Sequence, residues 1–134
     1  MKILLDTNII VDVLARREGY ADSLQILKSC ERKQIRGYIS ALTITDVTYI
    51  LRKYLAPDKL RGALRDIVNL VEIADVTKSD IRQAFASAMS DFEDAVQAAC
   101  AKRLNAAYIV TRNIRDFVQS VVPAVLPTDL LKKN

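Results

Sequence analysis

The chain contains no histidine. That absence removes the most common general base, the histidine-based nucleophilic triads and imidazole zinc sites together. Any catalysis must therefore run on carboxylates, hydroxyls, amines or a bound metal. Cysteine is scarce as well: Cys30 and Cys100 are the only two, each inside an apolar helical pattern, which points to buried reduced thiols rather than a disulfide framework. Only three glycines and three prolines occur, with no Ser/Gly-rich or single-charge block and no internal repeat, so no linker is evident. Long apolar runs are absent too. Stretches such as Ile9 to Val11 and Ala106 to Val110 are short and broken by charge, and Met1 to Asp6 lacks the apolar run and cleavage site of a signal peptide. A cytoplasmic protein that does not enter a membrane is expected.

What is present is a 134-residue chain, 51% hydrophobic, enough for one packed core without disulfide or zinc staples. Residues 1–134 are expected to form a single domain. The net charge of +4, from 20 basic and 16 acidic residues, permits a nucleic-acid partner without requiring one.

The periodicity alternates between strand and helix. Lys2 to Leu5 reads as a strand, Asp6-Thr7-Asn8 as a turn and N-cap, and Ile9, Ile10, Val13 and Leu14 as the inner face of a helix ending near Arg16. Tyr20 to Lys33 predicts a second helix, Gly37 a break, and Tyr38 to Ser40 a strand. Helices are expected over Thr43 to Leu55 and Asp58 to Leu70, separated by Pro57, then a strand over Val71 to Val76 and a helix from Ser79 to Ala88. Asp91 opens a helix to Leu104. A strand over Ala107 to Val110, a short helix over Ile114 to Val118, an edge strand over Ala124 to Leu126 and a tail from Thr128 complete the pattern. Alternating strands and helices predict an α/β sandwich on a mostly parallel sheet.

In such sheets the functional crevice lies beyond the carboxyl ends of the strands. Asp6 follows the first strand without a spacer, so it is either a helix N-cap or a ligand for a cation. Ser40 follows the second strand and leads to Asp46, an acid in an apolar, hydroxylated helix half, where Asp is a poor helix former unless it serves the helix dipole or a site. Asp91-Phe92-Glu93-Asp94 puts three acids into four residues, with Asp91 and Asp94 on one face, where like charges repel unless a cation relieves them. Thr111, Asn113 and Asp116 place oxygen donors after the last central strand, and Arg112 and Arg115 are candidates for holding phosphate. Four acid-bearing segments beyond strand ends read jointly as an all-oxygen cation site. Without His or paired Cys it favours Mg²⁺ or Mn²⁺, ions that bring phosphate oxygens into their shell.

The blocks Leu4-Leu5-Asp6-Thr7-Asn8-Ile9, Ser40 with Asp46, Asp91-Phe92-Glu93-Asp94-Ala95, and Ile109-Val110-Thr111-Arg112-Asn113 with Asp116-Phe117 resemble the PIN-domain nucleases, particularly the VapC-like toxin ribonucleases of toxin–antitoxin pairs. The resemblance spans Lys2 to about Leu126. It implies a three-layer α/β/α sandwich with a parallel sheet, Mg²⁺ or Mn²⁺ dependence and endonucleolytic cleavage of RNA. It also implies a homodimer and a cognate antitoxin. Carried over by position, Asp6, Asp46 and Asp94 match the first three family acids, and Asp116 stands for the fourth, with Asn8, Ser40, Asp91, Thr111 and Asn113 in support. Two departures bear on rate more than on fold: Asp46 stands where Glu is common, and Asn113 where many members carry an acid. A haloacid-dehalogenase phosphatase also begins with a strand and an Asp, but normally needs a second Asp where this chain has Asn8. A catalytically weak module that keeps the acidic pocket for RNA or protein contact is the alternative from another class.

Overall fold

The computed structural model describes residues 1–133. The chain runs β1 (Lys2–Leu5), α1 (Thr7–Ala15), α2 (Tyr20–Glu31), β2 (Arg36–Ser40), α3 (Ala41–Leu51), α4 (Pro57–Val68), β3 (Glu72–Ala74), α5 (Lys78–Ala86), α6 (Phe92–Arg103), β4 (Tyr108–Val110), a 3₁₀ turn (Ile114–Phe117), β5 (Ala124–Val125) and α7 (Pro127–Lys133). The sheet order is β3-β2-β1-β4-β5 and every pairing is parallel.

Side chains on successive strand residues point to opposite faces, and the sequence exploits that period. In β1, Ile3 and Leu5 face one way into a core with Ile9 and Ile10 of α1, Ile26 and Leu27 of α2, Val47 and Leu51 of α3 and Leu60 and Leu64 of α4. Leu4 faces the other way, onto Ala98 and Ala101 of α6 and Phe117. The result is the three-layer α/β/α sandwich expected. Buried aliphatic side chains contribute about 1.5–3 kcal/mol each, so the two-faced burial of β1 is a main anchor of the fold. Among the described residues, no helix is long and apolar enough to cross a membrane.

Several expectations need correction. Gly37 does not break the chain; it lies inside β2, where a Cβ would meet Cys30 Sγ at 2.6 Å, so the bare backbone is what lets α2 approach. The break falls earlier, at Lys33, whose φ of 61° ends the helix. The tail from Thr128 is helical: α7 starts on Pro127 and buries Leu130 completely in the core that includes α2. One apolar turn in a short polar segment gave too little period to read. The helix predicted from Ser79 starts at Lys78, capped by Thr77, whose hydroxyl accepts from Asp80 N while Asp80 accepts from Thr77 N. Both cysteines are free and buried, as expected.

Candidate functional site

The chain leaves β1 for β2 and β3 on one side, then returns to place β4 and β5 on the other, so strand order reverses between β1 and β4. Such a switch point opens a crevice at the carboxyl ends of its two strands. Asp6 stands at the end of β1 and Thr111 at the end of β4, and Asp6 N donates to Val110 O at 2.9 Å, which fixes the two strand ends together.

Asp6 is 6% exposed. It caps α1 by accepting from Thr7 N at 2.8 Å, and its other oxygen accepts from Thr111 Oγ1 at 2.8 Å and Asn8 Nδ2 at 3.0 Å. Asn113 N in turn donates to Thr111 Oγ1 at 3.0 Å, which leaves the threonine proton for Asp6. Cap and cleft residue are therefore one and the same role. All these donors are neutral, and burial raises the Asp6 carboxyl above its ordinary value, with a smaller push from the Asp116 charge, against the pull of the hydrogen bonds.

A cleft of about 240 Å³ gathers Asp6, Asn8, Ser40, Asp46, Glu93, Asp94, Gln97, Arg112, Asn113 and Asp116. The four expected aspartates are thus brought to one place from β1, α3, α6 and the 3₁₀ turn. Asp94 carries the largest consequence: partial burial, then the charges of Asp6, Asp91, Asp116 and Glu93, push its carboxyl up to about 7. Burial raises Asp46 as well, and the Asp46 charge, before burial and the Asp91 and Asp6 charges, raises Glu93. Among the described residues, no ion pair engages Asp6, Asp46, Asp94 or Asp116; the salt bridges are Arg36–Glu72, Arg103–Asp80 and Arg112–Asp12.

The donor set fits a hard divalent cation: the candidate donors are carboxylate, hydroxyl and amide oxygens, and among the described residues no arginine pairs with the four aspartates. The carboxylates ring the cleft rather than meet at a point, and among the described residues no three acid or cysteine groups come together at metal-ligand spacing. That arrangement suits Mg²⁺-like ions, which take one or two carboxylates and keep waters and phosphate oxygens in the remaining positions.

Not every expected residue lines the cleft. Asp91 is exposed and caps α6, accepting from Asp94 N at 2.9 Å, so it acts on the site only through its charge. Arg115 lies on the exposed side of the 3₁₀ turn, outside the cleft. Thr111 is fully buried beneath Asp6. Sequence reasoning missed Gln97, whose Nε2 lies 3.5 Å from Asp6 Oδ1 and 3.4 Å from the hydroxyls of Thr7 and Thr43. Its signal was a polar residue interrupting the apolar run from Ala95 to Ala101. Glu93 was visible in the acidic run but had been given no place of its own, and Arg17 and Asp12 had drawn no notice.

Residues 2–115 match the PIN domain family, most of the chain, and the chain belongs to that family. Solved structures share the fold. VapBC2 from Rickettsia felis, bound to a DNA fragment from its promoter, is 20% identical, with a TM-score of 0.74 over 94% of this chain and 98% of that one. FitAcB from Neisseria gonorrhoeae is 23% identical, with a TM-score of 0.68 over 94% and 98%. VapC20 from Mycobacterium tuberculosis, a Sarcin-Ricin loop cleaving toxin, is 14% identical, with a TM-score of 0.66 over 80% and 86%. No curated protein matches the chain.

Proposed function

We propose that this PIN-domain chain is an Mg²⁺- or Mn²⁺-dependent endoribonuclease and the toxin of a toxin–antitoxin pair. The observation that carries the reading is the cleft itself: four aspartates with no ion-pair partner among the described residues, one of them raised to about 7, around a space of about 240 Å³. Asp6 and Asp94 hold the principal cation, and Asp46 and Asp116 bind the same ion or a second one and orient its waters. When bound, the metal supplies a more acidic water and neutralises charge growing on the phosphate oxygens. Asn8, Thr111 and Gln97 fix the Asp6 carboxylate at the cleft without neutralising its charge. Ser40 and Asn113 line the opening, and Arg112 contacts the RNA backbone; Arg115, outside the cleft, reaches only RNA that extends beyond it.

The toxin reading draws support from relatives named as toxin–antitoxin assemblies and from one named for cleaving the Sarcin-Ricin loop. A cognate antitoxin is the expected protein partner. A homodimer belongs to the same reading; Phe85 and Phe92, both exposed with ring centroids 4.9 Å apart, give the chain an apolar patch for a partner surface without specifying which partner. The test is a gel assay on structured RNA with Mn²⁺ and with EDTA, alongside calorimetric titration of the metal. Cleavage that needs metal is expected; metal binding without cleavage favours the silent RNA- or protein-binding module, and cleavage indifferent to EDTA overturns the cation site.

A further inference from the structure

Five carboxylates share the cleft with two arginines, Arg17 and Arg112, yet among the described residues neither arginine pairs with any of those five acids. Opposite charges in one small space ordinarily collapse onto each other. For Arg112, a sixth acid behind the rim competes for the charge. Asp12, on the inner side of α1, is 3% exposed, and its Oδ1 lies 3.3 Å from an Arg112 terminal nitrogen. The contact is close enough for an ion pair but lacks hydrogen-bond alignment, so this oxygen has no hydrogen-bond partner among the described residues. Arg112 is thereby held by charge without its N–H groups being consumed, and its side chain stays 43% exposed at the cleft. Its main chain is anchored as well, through Arg112 N donating to Asn8 Oδ1 at 3.4 Å.

The same residue places the second arginine. Arg16 closes α1 in the left-handed conformation, at φ 51°, and Arg17 N then donates to Asp12 O at 2.9 Å. One aspartate thus fixes Arg112 through its carboxylate and the start of Arg17 through its carbonyl. Both arginines line the cleft that carries the five acids.

We infer that Asp12 is a positioning residue whose carboxylate holds Arg112, beside Arg17, as a phosphate clamp for the RNA backbone at the edge of the cleft. The clamp rests on the nuclease reading and extends it: the carboxylate floor takes the phosphate that reacts, and the arginine rim takes a neighbouring one, giving the strand a register. A guanidinium fork matches phosphate geometry, and its loose attachment to Asp12 leaves donors for it.

Anisotropy of a short fluorescein-labelled single-stranded RNA binding the full chain, with metal chelated and salt varied, tests the clamp. Arg112→Gln weakens binding about tenfold and lowers the salt slope by about one phosphate contact. Asp12→Asn, which keeps the main-chain anchor of Arg17 but frees the Arg112 side chain, weakens it about threefold, and the double variant matches Arg112→Gln alone because the Asp12 carboxylate acts through that arginine. Where Asp12→Asn does not fold, Asp12→Glu replaces it, since moving the charge by one methylene displaces Arg112 with the same loss. Unchanged affinity in a folded Asp12 variant, an unchanged slope in Arg112→Gln, additive losses, or no RNA binding by the wild-type chain each overturn the clamp. Metal-dependent cleavage that survives with unaltered slopes sinks the clamp and leaves the nuclease; expected slopes without cleavage do the reverse.

Discussion

Asp80 and Asp6 are both buried aspartates at helix starts, yet the fold treats them in opposite ways. Asp80, 2% exposed, accepts from Arg103 Nε at 3.1 Å and from a terminal nitrogen of the same arginine at 3.0 Å, and closes a capping box with Thr77. Burial pushes its carboxyl up, but the Arg103 hydrogen bonds and charge together with Thr77 outweigh it and bring the group below its ordinary value. Asp6 receives as many hydrogen bonds, all from neutral groups, and stays raised. The lesson is that hydrogen bonding satisfies a buried carboxylate's lone pairs without cancelling its charge. Where a cation is built in, the acid holds the fold together; where only neutral donors are built in, the charge is left uncompensated.

Breaking that comparison at its functional end gives the largest effect. Asp6→Asn or Asp94→Asn is expected to lower metal-dependent kcat/KM by about a thousandfold or more, while urea denaturation shows equal or higher stability because an uncompensated charge has gone. Full activity in either purified variant removes that residue from the mechanism.

At the structural end, Arg103→Ala leaves Asp80 buried without its counter-ion. A loss of about 2 kcal/mol is expected once solvent at the half-open guanidinium is allowed for, read from urea midpoints, with Mn²⁺ affinity unchanged. A variant as stable as the parent would show that Thr77 alone suffices.

The smallest effect sharpens the contrast through pH. Asp94 is raised from 3.8 to about 7, so the folded chain keeps a proton that the unfolded chain releases. Its contribution to stability therefore falls as pH rises through that window in metal-free protein, and is level above it. The lowered Asp80 works with the opposite sign, losing stability as pH falls through its folded value. Thermal melts of wild type against Asp94→Asn from pH 4 to 8 should show the difference, and Mn²⁺ affinity should rise about tenfold per pH unit below 7. Parallel melting curves for the two proteins would mean Asp94 is not held protonated.

Much of this was legible from residues alone. The alternation around Leu4, the Asp6-Thr7-Asn8 turn and the acidic run at Asp91 to Asp94 identified strands, helices and the cleft's acids, because period and capping chemistry are local. Gly37 and the last helix were misread for the opposite reason. A glycine inside a strand and a single buried leucine in a polar segment make sense only against the helix that packs on them. Gln97, Glu93 and Asp12 were hidden in the same way, since each has an ordinary local explanation and acquires a role only from neighbours up to about a hundred residues away.

The sequence by itself determined the α/β class, the absence of imidazole donors and which segments carry acids, since these follow from residue type and spacing. Only the tertiary structure decided which carboxylates are neutralised and which are left bare. That depends on where each arginine ends up: Arg103 pairs with Asp80, Arg112 with Asp12, and among the described residues none pairs with Asp6 or Asp94. Charge compensation falls off with distance in space, and the chain order does not encode that distance.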